Sequence, residues 1–567
     1  MRQALAVVLL LATAASSAAG RHVEKAPVPP PPRLAIVLVV DGLSWDRLQS
    51  WRPWFSAGLK RLLDEGAVAT ECRYGHLNTE TGPGHASLAT GAPPRAHGIP
   101  LNQWYVPSPD GKSMTTIYAA SQPLPGEADS SSKSVLGPAR LRVATLGDRL
   151  MTRDPRAKVV AIANKDRSAI FLAGRDPRHA AYWYSSKTGT YVTSEAYDAR
   201  SPEGTASAAV VARFNADEAG ASLASRLGTT WSRVPEPDPA PAIGFESGMT
   251  AYQDTTIGAE FPHDLTLSKR AFPSALLWTP LADRLLSDLV LRLVADDALA
   301  LGRDDVPDLL FVSFAASDYV SHFYGPESVE ELEILRALDL EIGRLLDAVT
   351  RRFGRGNVVV ALSADHGFMP LPEVLERHDP KLGGRRVRDV TIAKALNDAL
   401  DGELKRPAGA TPLVYRLEGC SLWLDRTALG APGAVSSKRV LTIVGRELAT
   451  TWKNIVLQTF VVDGSFRDRD EDEIEMRAWN DRVPGRSGDL FVVPRYGVLV
   501  DPYDGKGSSH GSPWEYDTHV PMIVWGGGAT PRVISAPSTP YDLAPTLAAR
   551  LGVALPDATG TPLDVWK

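Results

Sequence analysis

Seven side chains scattered along the chain are of the types that bind divalent metal ions or attack electrophiles: Asp41, Thr81, Asp318, His322, Asp365, His366 and His510. Thr81 stands in the stretch Asn78-Thr-Glu-Thr-Gly-Pro-Gly-His-Ala-Ser87. Gly82 and Gly84 let the backbone approach a ligand, Pro83 sets a turn, and a helix-like run from Ala86 would aim free N–H groups at an anion. A threonine hydroxyl is a nucleophile only when something removes its proton, so by itself the stretch reads as a turn. Asp318 and His322 are spaced i, i+4, which puts both on one helical face. Three carboxylates and three imidazoles suit zinc, a borderline metal that accepts oxygen and nitrogen donors. Singly, a strand-end aspartate is a cap and a lone histidine a satisfied core residue. Together the six read as a two-metal site, where zinc can bring the pKa of a bound water down to about 7.

Such a site needs elements that deliver its donors to one place. Leu34–Val40 is an unbroken apolar run ending at Asp41-Gly42, the pattern of a strand buried on both faces. The same grammar returns in Asp308–Phe314, followed by Asp318 and His322, and in Asn357–Ser363, followed by Asp365-His366. Carboxyl ends of buried parallel strands are where α/β proteins bind ligands. Between the second and third strands, Ser328 and Glu331 spell a capping box. Leu335, Leu338, Ile342, Leu345 and Val349 then form an apolar stripe that stops at Gly354. Strand, helix and strand make a crossover unit of a parallel sheet. Pro280–Ala298 reads as another helix, Val520–Trp525 as a late strand and Tyr541–Leu551 as a closing helix. Residues 104–273 and 371–496 fit the alternation poorly and read as insertions over the strand edge. The acidic run Asp468–Glu475 in the second reads as a solvated face.

The chain has 567 residues, 44% hydrophobic and 23% charged, and a net charge of -6, so no basic face for nucleic acid is expected. Residues 1–20 read as a signal peptide: Arg2, the apolar run Ala4–Ala14, then Ser17-Ala18-Ala19. That run is too short for a membrane anchor, and no later run is long enough. Residues 21–33 include Ala26-Pro-Val-Pro-Pro-Pro-Pro32, a stiff tether. A single catalytic domain over 34–567, exported to the periplasm or secreted and favoured as a monomer, is the expectation. Cys72 and Cys420 are the only two cysteines; a disulfide and two separate buried thiols both stay open.

Taken together, Thr81-Gly-Pro-Gly-His85, Asp318-x-x-x-His322, Asp365-His366-Gly367 and His510-Gly-Ser512 resemble the alkaline phosphatase superfamily. More narrowly the set is similar to its threonine-nucleophile branch, which holds the type I phosphodiesterase/nucleotide pyrophosphatases and the PafA-like bacterial alkaline phosphatases. The resemblance implies an alkaline-phosphatase-like three-layer α/β sandwich with a mostly parallel central sheet and inserted cap regions. It implies two zinc ions per chain. One would be held by Asp318, His322 and His510, the other by Asp41, Asp365, His366 and the oxygen of Thr81, the nucleophile. The Cys/Ser-x-Pro-x-Arg motif of sulfatases does not occur.

Asn102 matches the family's phosphate-binding asparagine, and Lys165 with Arg167 matches the pair that marks the PafA-like monoesterases. Following the apolar strand Lys158–Ala163, alternate residues of an extended segment would point Lys165 and Arg167 the same way. A phosphate monoester carries close to two negative charges and a diester one, so two extra cations favour the monoester. The expected substrates are small-molecule phosphate monoesters. A phosphodiesterase on the same fold, a phosphonoacetate hydrolase and a non-catalytic phosphate-binding protein are the alternatives. His85 is expected to make a structural hydrogen bond, His76 and His97 to bond within loops, and His519 to fix the loop carrying His510. Asp501-Pro-Tyr-Asp504 reads as an ordinary turn, with an additional Ca2+ site as the alternative.

Overall fold

Every side chain of β1 (Leu34–Val40) is buried, and this strand runs through the middle of a nine-stranded sheet. Removing such side chains from water contributes about 1.5 to 3 kcal/mol each, which is why an unbroken apolar run settles at the centre of a sheet. The computed structural model describes residues 30–123, 134–197, 201–234, 257–431, 433–464, 473–501 and 505–566. The signal peptide, most of the proline-rich tether and residues 502–504 of the calcium alternative lie outside the described residues, as do residues 465–472 of the acidic run. Residues 31–567 form one compact unit.

The remaining strands of the sheet are β2 (Ala67–Ala69), β3 (Val159–Ala163), β4 (Ala180–Ser185), β5 (Thr190–Val192), β6 (Asp308–Phe314), β7 (Val358–Ser363), β8 (Met522–Gly526) and β9 (Arg532–Ile534). Their order is β9-β2-β8-β7-β1-β6-β3-β4-β5. From β7 to β4 the pairing is parallel throughout. The late strand β8 pairs antiparallel with β7 and β2, and β5 pairs antiparallel with β4. The fold is therefore α/β with a mostly parallel central sheet, as expected.

Six helices pack in two groups that bear on the site. α1 (Thr81–Thr90) packs on α2 (Asp166–Ala173) and on α6 (Leu543–Leu551). α3 (Pro280–Ala295) packs on α5 (Val329–Phe353), which also packs on α4 (Ala316–Tyr324). In α5 the stripe Leu335, Leu338, Ile342, Leu345 and Val349 is buried, and the chain leaves at Gly354 with φ 79. The expected capping box is only half formed. Ser328 Oγ accepts from Glu331 N–H at 3.1 Å, but the Glu331 carboxylate turns inward, accepting from Ser317 Oγ at 2.6 Å and from Arg47 at 3.0 Å. Burial of the carboxylate beside a guanidinium outcompetes the return bond to the cap.

β6 and β7 are joined by α4 and α5 as the expected crossover of a parallel sheet, with β1 lying between them. One further expectation changes. Residues 104–273 are not an insertion outside the sheet, since they supply β3, β4 and β5. Short runs such as Ala180-Ala-Tyr-Trp-Tyr-Ser185 carry too little pattern to separate a central strand from a loop strand. None of the described residues of 371–496 belongs to that sheet. They build a four-stranded antiparallel sheet (Val414–Glu418, Ser421–Leu424, Leu490–Pro494 and Val456–Val461) with its own apolar core around Leu396, Leu422, Val440 and Val492.

Candidate active site

Register brings the donors together. Val40 lies level with Phe314 and Val39 with Ser363, so β1, β6 and β7 end on one line. Asp41 follows β1 directly, Asp365 and His366 follow β7, and Asp318 sits in the first turn of α4 behind β6. Gly42 takes φ +78, and its N–H donates to Asp365 Oδ1 at 3.1 Å. A Cβ there would lie 3.2 Å from the Asp318 backbone, so only glycine lets the three strand ends close on each other.

The side chains form two groups, Asp41–Asp365–His366 and Asp318–His322–His510, and within each the candidate donor atoms lie within 4.8 Å of one another. The first is wholly buried; in the second His322 and His510 are partly exposed. The imidazoles share one arrangement. Nδ1 of His366 faces the Gly367 carbonyl at 2.8 Å, Nδ1 of His322 the Ser508 carbonyl at 3.0 Å, and Nδ1 of His510 the Thr79 carbonyl at 2.7 Å. A carbonyl only accepts, so each Nδ1 carries the proton and each Nε2 presents a bare lone pair. Those lone pairs look at other acceptors: His366 Nε2 lies 3.4 Å from Asp41 Oδ1 and from Asp365 Oδ2, and His322 and His510 Nε2 lie 3.4 and 3.5 Å from Asp318 Oδ1. Asp41 Oδ1, Asp318 Oδ1, Asp365 Oδ2 and His366 Nε2 are buried without a hydrogen-bond donor. Acceptors facing acceptors in a buried site are the arrangement a cation satisfies.

Electrostatics agree. Burial, then the neighbouring Asp365 carboxylate, hold the Asp41 carboxyl well above the usual range. Against burial, the Lys165 ammonium holds the Asp318 carboxyl low. Burial keeps His366 and His510 below the ordinary imidazole value, and neutral imidazole is the form that binds metal.

Thr81 is 1% exposed and opens α1. The stretch read as a turn before a helix is already the helix's first turn. Pro83 is tolerated there because first-turn N–H groups have no intrahelical partner. Gly84 presses on the end of β7, where a Cβ would come within 2.1 Å of the Asp365 carbonyl oxygen. Lys165 Nζ and Arg167 Nη2 reach Thr81 Oγ1 at 3.4 and 3.5 Å. They do so differently from expectation: Lys165 is the extended residue before α2, while Arg167 lies inside the helix. Lys165 Nζ also bridges the two groups, at 2.8 Å from Asp41 Oδ2 and 2.5 Å from Asp318 Oδ2. Those two carboxylates keep its ammonium protonated despite burial. Asn102 Oδ1 accepts from Gly82 N–H at 2.7 Å.

Sequence reasoning missed Glu80. Its Oε2 accepts from Asn102 N–H at 2.8 Å, fixing the loop that carries that side chain. Burial, with Glu418 nearby, pushes its carboxyl up to about 7. As the one acid between Asn78 and Ser87 it was findable by composition alone. Also missed was Arg47, whose guanidinium donates to the Gly42 carbonyl and to Glu331 and so ties the β1 end to α5. His85 is structural, between the Thr81 carbonyl and Ser313 Oγ at 2.8 Å each. His76 bonds the distant Tyr541 hydroxyl; His97 bonds within its loop, accepting from Ile99 N–H, and also meets Ser87 Oγ; His519 bonds the Thr70 carbonyl, not the His510 loop. Cys72 and Cys420 are separate buried thiols, and Cys420 Sγ lies 3.4 Å from the Gly511 carbonyl oxygen.

Two cavities large enough for a substrate open on the group. One, about 260 Å³, is bounded by Thr81, Glu80 and Asn102 and by Asp389, Arg416 and Glu418 of the 371–496 region. The other, about 430 Å³, lies beyond Lys165 and Arg167.

The description of the type I phosphodiesterase / nucleotide pyrophosphatase family matches residues 35–519. The chain belongs to this family. Among curated members and relatives, alkaline phosphatase PafA of Elizabethkingia meningoseptica is 28% identical over 95% of each chain. A protein of Myroides odoratus named as a calcium-transporting ATPase is 28% identical over 94% of each, and alkaline phosphatase PhoK of a Sphingomonas species is 28% identical over 93% of this chain and 89% of its own. No helix among the described residues is long and apolar enough to cross a membrane. The crystal structure of wild-type PafA superposes with a TM-score of 0.80 at 26% identity, covering 95% of this chain and 100% of that one. A PafA variant with one threonine, one asparagine, one lysine and one arginine replaced gives 0.81 at 25% identity, with the same coverage.

Proposed function

We propose that this phosphodiesterase-family chain is an exported alkaline phosphatase that hydrolyses phosphate monoesters through a phosphothreonine intermediate, with two zinc ions per chain. The observation that carries the reading is the set of buried acceptors facing one another around Thr81, with two cations on the threonine oxygen. Relatives named as alkaline phosphatases support the reaction class. The four residue types replaced in the PafA variant occur there in the order Thr, Asn, Lys, Arg, with separations of 21 between the first two and 2 between the last two. Thr81, Asn102, Lys165 and Arg167 repeat that order and those separations.

Asp318, His322 and His510 would hold one zinc, and Asp41, Asp365 and His366 with the Thr81 oxygen the other. Bound there, zinc supplies the positive charge that makes a hydroxyl acidic at neutral pH and that balances a departing alkoxide. Thr81 Oγ1 attacks phosphorus as the ester P–O bond breaks and the alcohol leaves; water then cleaves the phosphothreonine, returning Thr81 and releasing phosphate. Lys165 and Arg167 bind the non-bridging oxygens, the guanidinium in two-pronged fashion, and Asn102 contributes its amide N–H. Glu80 holds Asn102 in place. The same nucleophile and donors serve a diesterase, the activity in the family's name. Two cations at Thr81 favour the doubly charged monoester over the singly charged diester.

The test is kcat/KM of the mature, zinc-loaded protein on matched aryl phosphate mono- and diesters. The monoester should be preferred. Lys165→Ala with Arg167→Ala should lower its turnover about a hundredfold, from two lost charge-assisted bonds, and diester turnover far less. Equal losses would remove the selective role of the pair, and a diester preference would move the protein to the diesterase reading.

A further inference from the structure

Beyond the cations at Thr81, the larger of the two cavities has a composition that the phosphoryl chemistry does not use. Its floor is Lys165, Arg167, Asp318 and His322, and its outer wall is Arg270, Trp278, Phe323 and Lys506. Trp278 and Phe323 lie with ring centroids 4.7 Å apart, and the Arg270 guanidinium rests 4.6 Å over the Trp278 ring. Stacking of this kind holds a guanidinium in position with its N–H edge open to a ligand. Arg270 and Lys506 are exposed, and no carboxylate among the described residues pairs with either side chain.

The smaller cavity is the opposite. Beyond Arg167 and Arg416 it is lined by the carboxylates of Glu80, Asp389 and Glu418. Both cavities touch Thr81's immediate surroundings, through Arg167, Asp318 and His322. A substrate bound there extends its alcohol part into one of them. A neutral alcohol is indifferent to the contrast; an anionic one is repelled from the carboxylates and drawn to the exposed cations.

We infer that the Arg270–Lys506 recess is the leaving-group site and that it selects phosphate esters whose alcohol part carries a second phosphate. The inference rests on the monoesterase reading, and it adds to that reading a substrate class and two specificity-determining residues. The apolar faces of Trp278 and Phe323 accommodate the carbon linker, and Arg270 and Lys506 meet the distal phosphate. Both cations are solvent-facing, so the preference falls with added salt.

The experiment compares 3-hydroxypropyl phosphate with propane-1,3-diyl bisphosphate on the zinc-loaded enzyme at low and high ionic strength. The ratio of their kcat/KM values is independent of how much active enzyme each preparation holds. The wild type should favour the bisphosphate about tenfold at low salt, the scale of two solvent-facing charge contacts. Arg270→Gln with Lys506→Gln should bring the ratio down to about the statistical value for two equivalent phosphates. Arg270→Lys with Lys506 intact should keep most of the preference. A double-variant ratio equal to that of the wild type, or a wild-type ratio indifferent to salt, overturns the inference while leaving the monoesterase reading intact. No turnover of either compound by the wild type overturns the monoesterase reading first, and this inference with it.

Discussion

The two candidate donor groups differ in how the fold holds them. Asp41, Asp365 and His366 follow the ends of adjacent parallel strands, with no exposed member, and are locked from below by the Gly42 N–H and by α1 at Gly84. Asp318, His322 and His510 sit on one short helix and one loop, partly exposed and facing both cavities. A group built on central strands has little freedom to move, while one built on a helix and a loop exchanges with solvent more easily. On the proposed phosphatase reading, the rigid group would serve the nucleophile and the open group the side where alcohol leaves and water enters.

The largest effect should come from Thr81, beside the lysine that bridges the groups. Thr81→Ala should lower monoester turnover by at least about ten-thousandfold, since losing a nucleophile removes a whole covalent pathway. Zinc content by elemental analysis should stay at two per chain, because six protein donors remain. Turnover that survives would break the assignment of Thr81.

Metal removal sharpens the comparison. Dialysis against a chelator should release zinc in two phases, the faster from the open group. His510→Ala should abolish the fast phase and leave the slow one. A single phase in the wild type would erase the distinction between the two groups.

The smallest effect on chemistry, though not on stability, should come from Arg47→Ala. It leaves Glu331 buried without its guanidinium at 3.0 Å, at a cost of about 3 to 5 kcal/mol. Chemical denaturation should report the loss, with kcat at permissive temperature changing little because Arg47 touches no donor atom. An unchanged denaturation midpoint would mean that Glu331 finds another partner.

Much of the site was legible because its parts are local patterns. An apolar run that ends in aspartate, an i, i+4 Asp–His pair and a threonine before Gly-Pro-Gly each express themselves within a few residues. Less legible was any group whose role depends on a partner far along the chain. Glu331 spells a cap in sequence, but its carboxylate belongs to Arg47, 284 residues away. Lys165 and Arg167 were matched as a pair, yet the structure puts one before a helix and the other in it. Residues 104–273 looked like an insertion because β3 to β5 are short and interrupted by loops.

By itself, then, the sequence determined the buried strands, the donor types and the nucleophile candidate, because hydrophobic periodicity and side-chain chemistry are properties of the residues and their spacing. The tertiary structure decided which strands became neighbours and which nitrogen each imidazole offers. It alone set Lys165 between two carboxylates and sorted the surrounding charges into a cationic and an acidic cavity. Those features arise from contacts between segments tens to hundreds of residues apart, and such contacts are fixed by sheet register and packing, which leave no local trace in the chain.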